Sequence, residues 1–296
     1  MGKTEALEAF RQQLIETNSS AGIILHNGKP ILEFGDLQQP TYLASIGKVV
    51  VAMAVFRAIH DRCLNLDDPV HRYFPEWNQG RKRLVTVRHL LGHVSGLQTV
   101  AFTPTELGPA PDHLQLALCA ELEHQPGEVW VYNNKGYVIL TALLERATRV
   151  PFEHFLRERL WIKSLFHCLR DASGNLEGHG VLELGAFGLA RVGHTIYAGL
   201  HFQQEVDGED FRTTLVDQEM FKPMLEPPNE PYRGYSFFSF ADESKTVKGW
   251  CMNGDGAQWL FVLPELDLVV VRLARDEGAV RNFHPMVYEL ARAFTI

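Results

Sequence analysis

The chain has 296 residues, 46% hydrophobic, 22% charged and 10% aromatic, close to globular averages. That balance excludes a disordered chain, a collagen-like repeat and a disulfide-built miniprotein, and the length suffices to bury a large core. With 28 basic against 36 acidic residues the net charge is −8, which opposes binding to a polyphosphate, so no nucleic-acid partner is expected. The one dense basic cluster, Arg81-Lys82-Arg83, reads as a solvated loop. The longest apolar run, residues 49–56, is far shorter than the roughly twenty residues of a membrane helix, so no membrane partner is expected either. The first residues are amphipathic, with Glu5, Glu8 and Arg11 where a signal core would be apolar, and a chain starting this way is expected in the cytoplasm. Cys63, Cys119, Cys168 and Cys251 lie far apart without a C-x-x-C pair, which suggests free, mostly buried thiols over a disulfide frame or zinc site.

In chain order, residues 3–17 set Leu7, Phe10, Leu14 and Ile15 on one helical face. Two short apolar runs, 21–25 and 30–34, then flank His26-Asn27-Gly28-Lys29. Asn-Gly is the preferred tip of a tight hairpin because both residues tolerate positive φ. From 45 to 62, Val49, Met53, Phe56 and Ile59 recur at helical spacing. Asp67-Asp68-Pro69 stops that helix with a turn. The middle of the chain reads as short helices over 87–91, 112–122, 134–148, 152–160 and 188–200. Segment 201–231, with Pro223, Pro227, Pro228 and Pro231, reads as loop and crossing structure. Strand patterns follow at 235–240, 247–252, 258–263 and 268–273, and 279–294 reads as a closing helix. Strands at both ends of a helical middle imply an α/β (α+β) fold in a single domain, 1–296. One antiparallel sheet would be built from residues 1–44 and 232–296, with a largely helical region, 45–231, inserted between them. The cleft between sheet and helical region is the natural place for a site.

Ser45-Ile46-Gly47-Lys48 is the main chemical signal. A serine in the first turn of a helix has backbone N–H groups and the positive helix end near its oxygen, and a lysine three positions on lies on the same face. Kept neutral by burial, that lysine can take the serine proton. The motif opens the most apolar helix of the chain. Tyr132-Asn133-Asn134 forms a second group, with a phenol able to relay a proton and an amide able to hold a substrate carbonyl or the lysine. Other features carry less. His89 and His93 stand at metal spacing but lack the glutamate of His-Glu-x-x-His and enclose a glycine, so no metal or other cofactor is expected. Gly92-His93-Val94-Ser95-Gly96 is not a Gly-x-Ser-x-Gly elbow, and Phe237, Phe238 and Phe240 read as sheet core.

These residues carry a resemblance. Ser45-x-x-Lys48, Leu90-Leu91-Gly92-His93-Val94-Ser95-Gly96-Leu97, and Pro126-Gly127-x-x-Trp130-x-Tyr132-x-Asn134-x-Gly136-Tyr137 resemble three motifs of the serine β-lactamase and penicillin-binding protein superfamily. They stand in family order and near family spacing. The likeness is to the class C and esterase/6-aminohexanoate-dimer hydrolase branch, and runs from about residue 20 to the end. It implies a covalent acyl-enzyme on Ser45, with Lys48 and Tyr132 as the proton-transfer pair and Asn134 as the motif's asparagine. It makes Ser95 a structural turn residue. The third family motif departs here: Met252-Asn253-Gly254 stands where relatives carry Lys-Thr-Gly or His-x-Gly. Gly254 permits close approach of substrate, and the Asp255 N–H would complete an oxyanion hole with that of Ser45. The cation that relatives use to hold a carboxylate is absent from that motif, which weighs against β-lactam turnover.

The expected function is therefore a serine hydrolase acting on a small-molecule ester or amide. The alternatives are a β-lactamase or D-alanyl-D-alanine carboxypeptidase, an acyltransferase, and a non-catalytic binding or sensor protein of the same fold.

Overall fold

A computed structural model describes residues 2–99, 106–160, 162–201, 233–235, 237–241, 247–275 and 282–295. After helix α1 (Lys3–Glu16) the chain forms the hairpin β1 (Ala21–His26) and β2 (Lys29–Gly35). Asn27 and Gly28 at its tip have φ of 51° and 71°, the conformation that the Asn-Gly pair supplies at little cost. The last third adds β6 (Arg233–Gly234), β7 (Phe237–Ala241), β8 (Lys248–Gly254), β9 (Gln258–Leu263), β10 (Leu268–Leu273) and helix α8 (His284–Arg292). Together these strands make one antiparallel sheet in the order β2-β1-β10-β9-β8-β7-β6, so β1 from the N-terminus pairs with β10 from the C-terminus.

Between the two halves run β3 (Thr41–Tyr42), α2 (Gly47–His60), α3 (Val87–Leu91), α4 (His113–Cys119), α5 (Asn134–Thr148), α6 (Phe152–Glu158), β4 (Phe166–Cys168), β5 (Leu182–Leu184) and α7 (Ala186–His201). The inserted region is thus not wholly helical. β3, β5 and β4 form a second, three-stranded sheet in that order, built from strands too short to show a period-2 pattern in the sequence. The proline-rich reading of 201–231 falls, apart from His201 at the end of α7, outside the described residues.

The sheet is covered on both faces. Ile23 and Leu25 of β1, with Val269 and Val271 of β10, pack into a core shared with α2, α5 and α7. Ile24, Val270 and Leu268 face the opposite way, into a core closed by α1 and α8. β9 and β10 are consequently buried along their whole length. Helix α2 is buried from Gly47 to Ala58, as its all-round apolar sequence requires, and packs on α5 at the centre of the inserted region. Phe240 belongs to the α8 side, stacking on Tyr288 and His284. Two readings need correction. Cys63 and Cys119 are exposed, so the free thiols are not mostly buried: they lie at the C-terminal ends of helices, facing out. Arg81 and Lys82 are not simply solvated either, since they donate to the carbonyls of Leu122 and Leu118 and tie their loop to the end of α4.

Candidate active site

Ser45 lies in a 3-10 turn, Ala44–Ile46, that runs directly into α2, and Lys48 is the second residue of that helix. Ser45 therefore lies one turn before Lys48. Ala44 carries a φ of 48°, a left-handed conformation costly for a residue with a Cβ. The strain sits immediately before the serine. Tyr132 reaches the same point from the strand-like entry to α5, and Ser45 Oγ lies 3.1 Å from Lys48 Nζ and 2.7 Å from Tyr132 Oη.

Burial sets the protonation of this group. Lys48 is fully buried, and its Nζ donates to the His179 carbonyl at 2.9 Å. Desolvation holds its pKa well below the ordinary lysine value. Tyr132, 7% exposed, has its pKa pushed up to about 12, by burial first, against the opposing hydrogen bond with Ser45. At neutral pH the tyrosine is a neutral phenol that donates to Ser45 Oγ. Lys48 Nζ donates to the same Ser45 Oγ, so the serine oxygen sits between the two groups.

The second motif divides its labour. Asn133 caps α5, its Oδ1 accepting from Gly136 N at 3.2 Å while its Nδ2 donates to the Leu97 carbonyl at 2.8 Å. Asn134 begins the helix, and its buried Oδ1 has no hydrogen-bond partner among the described residues. A buried acceptor left open is a group waiting for a donor. The end of β8 completes the picture. Gly254 lies against the Leu43–Ala44 backbone so closely that a Cβ there would stand 2.2 Å from the Leu43 carbonyl oxygen. This contact sets the following turn, with Asp255, beside the turn that holds Ser45. Met252 is buried in the core shared with α2, and exposed Asn253 precedes Gly254.

Several contributors are not singled out as catalytic by sequence. His93 stacks on the Tyr132 ring (centroids 4.7 Å apart, 31° between planes), and its Nδ1 accepts from Asn133 N at 3.1 Å. His89 instead closes the cap of α3, its Nδ1 accepting from Thr86 N. The two histidines thus serve different tasks, and His93 is marked in the sequence only by its place in the Leu90–Leu97 motif. His179 acts through its carbonyl, which no side-chain pattern reveals. Tyr42 is partly exposed with its hydroxyl over Gly180, and its pKa is pushed up to about 12 by burial of its ring and by Glu177 and Asp255.

A doubly covered antiparallel sheet with an inserted helical region and a serine held between lysine and tyrosine defines a β-lactamase-fold protein. The Beta-lactamase family model matches residues 12–169, more than half of the chain, and the chain belongs to that family. Esterase EstB of Burkholderia gladioli is 34% identical over 128 residues, 37% of this chain and 32% of that protein. Penicillin-binding protein 4* of Bacillus subtilis (strain 168) is 28% identical over 129 residues, 40% of this chain and 28% of that protein. The matched region thus spans about a third of these curated relatives. A solved structure of a Bacillus anthracis protein, provisionally named a 6-aminohexanoate-dimer hydrolase, superposes with a TM-score of 0.80 at 14% identity. It covers 96% of this chain and 80% of that one, a likeness of fold. The family is one of hydrolases that includes esterases and penicillin-binding proteins. Among the described residues, no helix is long and apolar enough to cross a membrane.

Proposed function

We propose that the protein is a serine hydrolase that cleaves a small ester or amide through an acyl-enzyme on Ser45. The observation that carries this reading is the placement of Ser45 Oγ within hydrogen-bond reach of a fully buried Lys48 and a neutral Tyr132. Neutral Lys48 takes the Ser45 proton as Oγ bonds to the substrate carbonyl carbon. The N–H groups of Ser45 and Asp255 hold the resulting oxyanion, and a donor of this kind contributes on the order of 3 kcal/mol. As the tetrahedral species collapses, the carbonyl re-forms and the bond to the leaving oxygen or nitrogen breaks. Tyr132 gives that atom its proton and regains one from Lys48. Water then adds to the acyl carbon, losing its proton to the Tyr132–Lys48 pair. Ser45 departs with that proton and the acid is released. Asn134, with its open amide oxygen, holds an N–H or O–H of the substrate.

Esters and amides are favoured over β-lactams because the place of the family's cation is taken by buried Met252. The test is a panel of p-nitrophenyl esters, short amides, nitrocefin and a D-alanyl-D-alanine peptide, run on wild type and Ser45→Ala, with fluorophosphonate labelling in parallel. Wild type should turn over esters and take one label on Ser45, and Ser45→Ala should lose both. Labelling that survives the substitution, or nitrocefin turnover exceeding that of every ester, would sink the reading.

A further inference from the structure

The turn after β8 carries more hydrogen bonding from behind than its length requires. Gly254 and Gln258 are register partners, so Asp255, Gly256 and Ala257 form the connection between β8 and β9. Gly256 and Ala257 have φ of 78° and 64°. Alanine is disfavoured in the left-handed region because its Cβ crowds the carbonyl that follows, so this conformation persists only if the surroundings fix it. The fixing groups are two buried side chains. Arg272 of β10, fully buried, donates through Nη1 to the Ala257 carbonyl at 2.5 Å, through Nη2 to the Thr17 carbonyl at 2.7 Å and through Nε to Ser19 Oγ at 2.9 Å. Gln258 donates through Nε2 to the Ala274 carbonyl at 2.7 Å and to the Gly256 carbonyl at 3.3 Å, while its Oε1 accepts from Ala274 N at 2.9 Å. Carbonyls of two successive residues in the turn are therefore tied to the end of β10 and to the chain just after α1.

A buried guanidinium thus donates to two backbone carbonyls and a serine hydroxyl around this hairpin. Desolvation lowers the Arg272 pKa to about 10, a measure of the cost. The same turn is gripped from the front, where Gly254 meets the Leu43–Ala44 backbone before Ser45. Its front edge therefore begins against the backbone that leads into Ser45, and its back edge is anchored to the sheet.

We infer that Gln258 and Arg272 are positioning residues for the reaction: by fixing the Gly256 and Ala257 carbonyls they aim the Asp255 N–H at the oxyanion formed on the Ser45 adduct. This rests on the proposed acyl-enzyme chemistry and goes one shell beyond it. An N–H held in place before reaction stabilises developing charge without reorganisation, so a loosened turn weakens binding of the transition state while leaving the ground-state complex nearly as it was.

The test uses the full chain with Gln258→Ala, Gln258→Glu, Arg272→Lys and the wild type. Gln258→Glu keeps the acceptor for Ala274 N but loses both donated hydrogen bonds; Arg272→Lys keeps the charge and can serve only part of the carbonyl set. Steady-state hydrolysis of a p-nitrophenyl ester gives kcat and KM. Inhibition by phenylboronic acid, which forms a tetrahedral adduct on a serine, reports the oxyanion site. Thermal unfolding reports the fold. In the variants that unfold cooperatively, kcat should fall about 10–100-fold with KM within about twofold, and phenylboronic acid affinity should weaken in step with kcat. A folded variant with unchanged kcat, or one that raises KM alone, overturns the inference while ester turnover by wild type keeps the Ser45 reading intact. A wild type without ester turnover and without Ser45 labelling removes both.

Discussion

At the scale of single residues, the site turns on the protonation of the buried Lys48, whose pKa desolvation lowers. A buried lysine whose folded pKa lies below its unfolded one binds fewer protons folded than unfolded across the interval between the two values. Stability therefore rises with pH through that interval, by at most about 1.4 kcal/mol per pH unit for one proton, and levels off above the unfolded value. Lys48→Met removes the titrating group, so the difference in unfolding free energy between wild type and Lys48→Met should move in favour of wild type as pH is raised from 7 to 10. Denaturant unfolding of both proteins at several pH values measures it, and a difference independent of pH would mean that Lys48 keeps its proton in the folded state. The base must be unprotonated to act, so kcat/KM should fall as pH drops through the same lowered pKa, and Lys48→Met should abolish turnover at every pH. Tyr132, raised to about 12, stays a proton donor throughout this range.

At the scale of elements, the site is assembled from the beginnings of two helices and the end of one strand. α2 brings Ser45 and Lys48, the entry to α5 brings Tyr132 and Asn134, and β8 brings Gly254 and Asp255. Asn133 joins two of these supports, capping α5 and holding the Leu97 carbonyl. Asn133→Ala should destabilise the protein by about 1–3 kcal/mol, through the lost cap and the stranded carbonyl, and should lower kcat because the Tyr132 backbone loses its anchor. Urea unfolding and ester turnover check the two halves; a loss of kcat with no loss of stability would place Asn133 in contact with substrate. Much of this assembly is legible in the sequence, because α2, α5, β9 and β10 are long enough to show their periods and Asn27-Gly28 announces its hairpin. What is not legible has physical reasons. β3, β4 and β5 are two or three residues long and leave no periodic trace. The His179 carbonyl acts through backbone that any residue could supply. The stacking of His93 on Tyr132 depends on a turn in which His93 itself takes a φ of 57°. Ser45, Lys48 and Tyr132, which the structure brings together, are marked in the sequence because the proposed chemistry needs particular side chains, whereas the groups that hold them in place mostly do not.

At the scale of the whole molecule, the sheet separates two cores with different duties. The Ser45–Lys48–Tyr132 group comes from elements on the face shared with α2, α5 and α7, and the opposite face, closed by α1 and α8, holds none of these three residues. Substitutions in that outer core should therefore cost stability without touching chemistry. Leu290 in α8 is 1% exposed and packs among Val287, Ala291 and the outward face of the sheet. Leu290→Ala removes its buried methyl groups and leaves a cavity that rigid β-strands cannot collapse, at a cost of about 2–5 kcal/mol. The thermal midpoint should drop accordingly, while kcat and KM, measured well below the new transition, stay within about twofold of wild type. A structural link between the faces that bears on the site is Arg272, which joins the chain after α1 to the Ala257 carbonyl. If Leu290→Ala lowers kcat in fully folded protein, strain is crossing the sheet by that route. The same substitution made in Arg272→Lys should then lower kcat no further, because the link would already be broken.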